Sequence, residues 1–141
     1  MSNIKYLILL IALSSCGFYL NVNGNNFEAF VNTVKTTAGN DAKDCGLVEI
    51  YASQLNANTC VANAFSQQIP FYAIYKLQGI DSSLATAIVS GTDHILYFIF
   101  FDSDPSGGGN MNNGKITTTE CKNAKYLGKP NVPYSDLFSC N

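Results

Sequence analysis

Phe27, Phe30, Val31 and Val34 recur at the i, i+3, i+4, i+7 spacing of a single helical face. Asn25 or Asn26 can cap that helix, and Gly39-Asn40 can end it. A polar link follows over 41–44. Ala57, Cys60 or Val61, and Ala64 keep the same period, with Phe65 beside them and Pro70 enforcing a stop. The pattern predicts a second helix over 53–68, with a start reaching back toward Gly46. After Pro70 the period changes. Residues 71–77 are aromatic and β-branched and read as a strand, 79–82 as a turn and 84–89 as a second strand. A tight turn over 90–93 leads into 94–101 (HILYFIFF), an almost wholly apolar strand expected to be central and buried on both faces. Residues 116–121 carry Thr117, Thr118 and Thr119 and read as a fourth strand; 122–141 read as a loop.

This order predicts an α+β fold, with a helix packed on a four-stranded antiparallel meander. Alternation puts Tyr97, Ile99 and Phe101 on one sheet face and Phe98 and Phe100 on the other. The aromatic positions serve either as core or as a concave face holding a small apolar ligand.

The chain begins with a short n-region bearing Lys5, then the apolar run 6–13 (YLILLIAL) and small or polar residues up to Gly24. That is the layout of an export signal cut after Gly24, leaving one domain over 25–141. The run is too short and interrupted for a transmembrane span. Leu13-Ser14-Ser15-Cys16 resembles the box at which bacterial lipoproteins are cut and lipidated on Cys. That resemblance implies a domain tethered to the cell envelope through Cys16.

Composition narrows the partners. The 141 residues carry a net charge of −2, and all eight basic residues are Lys. Without Arg there is no bidentate reader of phosphate or guanine, so nucleic acid is not expected as a partner. Once Cys16 is removed or lipidated, Cys45, Cys60, Cys121 and Cys140 remain. Four cysteines in a small exported domain read as two disulfides. Sequence alone leaves three connectivities open. A Gly- and Pro-containing tail with little else to hold it favours Cys121–Cys140, with Cys45–Cys60 as the second pair.

Three constellations invite chemistry. Asp102, Asp104 and Ser106 alternate ahead of Gly107, the first half of a calcium-loop spacing, but Asn113 stands where a bidentate Glu would close it. The alternative is a long turn-rich connection. His94, beside Asp93, has no nucleophile elbow to serve, and Asp102 with Asp104 form a carboxylate pair without an evident source of pKa separation. The expectation is therefore a non-catalytic domain without a resident cofactor, with a hydrolase around Asp102, Asp104 and His94 as the weaker enzyme alternative. Asn58-Thr59-Cys60 is the rare N-x-C form of a glycosylation site.

Ala87-Ile88-Val89-Ser90-Gly91, followed by an apolar strand, resembles the Q-x-V-x-G hairpin tip of the cystatins, with Ala87 in the Gln position and no Trp for a second hairpin. The resemblance implies a cystatin-like architecture and inhibition of papain-type proteases through Val89, Ser90 and Gly91. The wider pattern of Asp44-Cys45-Gly46, Cys60, Pro70-Phe71, Gly79 with Asp81-Ser82, Asp102-Ser103, Cys121 and Cys140 is similar to small exported domains of uncharacterised type and implies no activity. The leading expectation is a secreted domain that binds a protein or a small ligand.

Overall fold

A computed structural model describes residues 25–109 and 113–141. The expected signal segment 1–24, with Cys16, lies outside the described residues.

Helix α1 spans Phe27–Ala38. The Asn26 side chain accepts the Ala29 N–H at 2.8 Å and so caps an otherwise unpaired donor. Phe30, Val34 and Ala38 form its fully buried stripe. Gly39, at φ +93°, ends the helix and donates its N–H to the Lys35 carbonyl.

Strand β1 (Lys43–Val48) stands where the sequence pattern predicts a polar link over 41–44 and a helix start reaching back toward Gly46. It lies parallel to β2 (Phe71–Leu77), and helix α2 (Leu55–Ser66) makes the crossover that parallel strands need. The register slips between Asp44 and Leu47, around Gly46 at φ +100°, where Asp44 Oδ1 accepts the Gly46 N–H at 2.8 Å. Strands β2, β3 (Leu84–Ser90), β4 (Leu96–Asp102) and β5 (Lys115–Cys121) pair as successive antiparallel neighbours without a break in register. With β1 added, the sheet has five strands in the order β1-β2-β3-β4-β5.

The two helices cover opposite sheet faces, where one had been expected. On one face, α1 buries Phe30, Val34 and Ala38 against Ile74, Ala87, Val89, Ile99 and Phe101. The Phe30 and Phe101 rings stack at 5.7 Å. On the other, α2 buries Ala57, Val61 and Ala64 against Phe71, Ala73, Tyr75 and Ile88. The C-terminal segment completes that second face with Leu137 and Phe138. It contains a short ladder of β6 (Lys125–Tyr126) with β7 (Phe138–Ser139). Strand β4 is therefore not closed on both sides throughout: Phe100 is exposed.

Both favoured disulfides are present. Cys45–Cys60 ties β1 to its crossover helix, and Cys121–Cys140 ties the end of β5 to the tail. Asn58 is fully buried. Its Nδ2 donates to the Pro130 and Val132 carbonyls, each at 2.9 Å, and its Oδ1 accepts the Tyr75 hydroxyl at 2.9 Å. No room is left on that side chain for a glycan. Among the described residues no helix is long and apolar enough to cross a membrane, and the disulfides are compatible with an oxidising extracellular compartment.

Candidate functional site

The helices and the tail cover most of both sheet faces, and a shallow depression of about 290 Å³ with Val31, Leu47, Tyr72 and Ile74 in its lining remains between α1 and the β1–β2 edge. The more informative feature lies at one end of the sheet, where the loop after β1 meets the β2–β3 turn. A cleft of about 400 Å³ opens there, with Phe27, Leu77 and Leu84 as apolar walls and Glu49, Lys76 and Gln78 as polar groups. Gly79 is required by the turn, since a Cβ there would sit 2.0 Å from the Ser82 carbonyl oxygen.

Lys76 projects from the end of β2 on the α1 side. Its Nζ donates to Glu49 Oε1 at 2.8 Å and lies 5.6 Å from the centre of the Phe27 ring. The ammonium is thus held between an acidic partner and an aromatic face. Gln78 donates through Nε2 to the Gly79 carbonyl at 2.8 Å and accepts the Tyr51 hydroxyl at 3.1 Å. Tyr51 and Ile80, next in the chain to the lining residues Ile50 and Gly79, stand out into solvent. The β4–β5 connection braces this end from behind: Ser103 Oγ accepts the Ser83 N–H at 2.8 Å, and the Ser103 N–H donates to the Ser83 carbonyl at 3.0 Å.

The residues singled out from sequence lie elsewhere or are otherwise engaged. Val89 and Ser90 are buried inside β3, where Ser90 pairs with Phe71 and Leu96. Gly91 is closed against the end of α1, since a Cβ there would lie 2.7 Å from the Thr37 carbonyl oxygen. The segment 89–91 is therefore not a protruding tip. Its valine is core because strand alternation points it toward α1.

Asp102 Oδ1 accepts the Asp104 N–H at 2.9 Å, and Asp104 Oδ2 accepts the Gly109 N–H, so these carboxylates build the turn. Ser106 is exposed. Among the described residues no three His, Cys, Asp or Glu side chains gather as a metal would require. His94 precedes the first residue of β4 and Asp102 is its last, so they sit at opposite ends of a seven-residue strand, about 20 Å apart. Asp93 spends its oxygens on the Ile95 N–H at 3.0 Å and the Tyr97 hydroxyl at 3.1 Å, not on His94.

Sequence reasoning missed Tyr51, Glu49, Lys76 and Gln78. The one local signal was Ile80, an apolar residue at the centre of a Gly-Ile-Asp-Ser turn, where nothing could bury it.

Fold and site together define a disulfide-tied α+β domain with a ligand-sized cleft at one end of its sheet. No family model, curated protein or solved structure matches the chain.

Proposed function

We propose that the chain is an exported, non-catalytic recognition domain whose ligand docks in the cleft between the β1–α2 loop and the β2–β3 turn. The observation that carries this reading is the cleft itself: apolar walls, a few convergent polar groups and small-ligand dimensions. Two exposed side chains, Tyr51 and Ile80, are chain neighbours of its lining residues Ile50 and Gly79. The spread of His94, Asp102 and Asp104 across the sheet speaks for binding over hydrolysis. Export rests on the apolar leader and accords with the two disulfides. An intact mass beginning at Asn25 supports the soluble form; one beginning at a lipidated Cys16 supports the tethered form.

An amide NMR titration with a fragment library tests the site. Shifts should cluster at Lys76, Gln78 and Ser82 and weaken in Lys76→Ala. Shifts confined to other surfaces would refute the assignment. The cystatin-like reading gains nothing from the burial of Val89 and Ser90. Titration against a papain-type protease decides it, with no inhibition as the expected result.

A further inference from the structure

We infer that the cleft takes a neutral saccharide, with Tyr51 as the ring on which a sugar face rests. This rests on the recognition reading above and names its ligand class. Tyr51 occupies the third position of a turn over 49–52, closed by the Ala52 N–H on the Glu49 carbonyl at 3.0 Å, and has φ +64°. Backbone in that region suits glycine, and a bulky residue there is strained. Burial does not offset the strain, because Tyr51 is 90% exposed. Its 3.1 Å hydroxyl bond to Gln78 is itself exposed and contributes little. Glycine would serve the fold better, so the ring is of use for what it presents to solvent.

The Tyr51 hydroxyl reaches Gln78 on the cleft wall, and the polar groups of that cleft select among ligands. Lys76 and Glu49 offset each other's charge at 2.8 Å, so the pair presents no net charge to draw an ionic ligand. A fatty chain would cover the pair without replacing its water. A neutral polyol can leave it intact, giving hydroxyl protons to the carboxylate and taking the remaining ammonium protons on its oxygens. A pyranose also offers a C–H face with apolar character, which suits an aromatic ring and the walls formed by Phe27 and Leu84.

The test is an array of neutral and acidic oligosaccharides, followed by calorimetric titration with the strongest neutral binder. Wild type should bind, Tyr51→Phe should stay within threefold, and Tyr51→Gly should lose at least tenfold. The melting temperature of Tyr51→Gly should hold or rise, which separates a lost platform from a damaged fold. No binding to any neutral oligosaccharide, or equal binding by Tyr51→Gly, overturns the inference. If the fragment titration still maps to Lys76 and Gln78, recognition at the cleft stands and only the saccharide is wrong. If it does not, both fall.

Discussion

Helices α1 and α2 are both twelve residues long and lie on opposite faces of one sheet, but they are held in different ways. Helix α1 carries its own instructions: a side-chain cap at Asn26, a stripe with a large aromatic, and a glycine stop. Helix α2 has a slimmer stripe of Ala57, Val61 and Ala64, no side-chain cap from Gln54, and only a long bond of 3.4 Å from the Leu55 N–H to Ser53 Oγ. What it lacks locally is supplied by distant chain. Cys60 is bonded to Cys45, Asn58 holds the carbonyls of Pro130 and Val132, and Gln54 Oε1 accepts the Tyr134 N–H at 2.8 Å. The helix on one face is held by local features, and the helix on the other shares its face with the tail.

The largest effect that probes this difference is Phe30→Ala. It removes a ring stacked on Phe101 and should cost about 3–5 kcal/mol in chemical denaturation. On the other face, Asn58→Ala orphans the Tyr75 hydroxyl and two carbonyls and should cost about 3 kcal/mol. The two should respond differently to loss of the tail bridge. With Cys121 and Cys140 both replaced by Ser, the Asn58→Ala cost should shrink by about 1 kcal/mol, because the tail is already loosened. The Phe30→Ala cost should not change. Equal coupling of both sites to the bridge would erase the distinction between the faces.

The same distinction explains what could be read in advance. α1 was legible because cap, stripe and stop lie within fifteen residues. The meander was legible because its turns and apolar runs alternate cleanly. β1 was not: its only strong apolar residues are Leu47 and Val48, and it becomes a strand because β2 offers a free edge and Cys60 anchors Cys45. The closing of β4 was overestimated at Phe100, because an apolar run carries no record of where the helix and tail above it end. The cleft escaped because Phe27, Glu49 and Lys76 come from three segments and meet only in the fold. The five-residue pattern at Val89 carried no record of which face of its strand is buried, and Val89 lies in the core.

A pH series sharpens the comparison with a smaller effect, since each face carries two tyrosines shifted upward, Tyr72 and Tyr97 on the α1 side and Tyr75 and Tyr134 on the other, with Tyr72 and Tyr75 shifted most. Tyr72, on the α1 side, is pushed up to about 12, by burial first and then by its hydrogen bond to Asp44 and that carboxylate's charge. Tyr75, on the α2 side, is pushed up further, by burial first and then by Tyr134. Unfolded tyrosine ionises near 10. Below that pH both states keep the proton and stability is full. Above it the unfolded chain loses the proton while the folded chain keeps it, so stability falls as pH rises from about 10 toward 12. The urea midpoint should therefore drop across that window, and Tyr72→Phe should flatten the drop in part. A midpoint independent of alkaline pH would show that neither phenol is held as the fold implies.

The smallest effect gives the most direct contrast, because it compares the two helix starts. Asn26→Ala and Gln54→Ala each remove one acceptor of a backbone N–H, and each should cost about 1 kcal/mol. The energies alone say nothing about which helix is locally specified; the location of the damage does. After Asn26→Ala, amide exchange should quicken at Ala29 and Phe30, in the first turn of α1. After Gln54→Ala, exchange should quicken at Tyr134 and along the tail, while Asn58, whose N–H reaches the Gln54 carbonyl at 2.9 Å through the main chain, keeps its protection. If Gln54→Ala instead frays the first turn of α2 and leaves the tail unmoved, Gln54 is an ordinary cap. The dependence of α2 on the tail would then reduce to Asn58 and the shared apolar cluster.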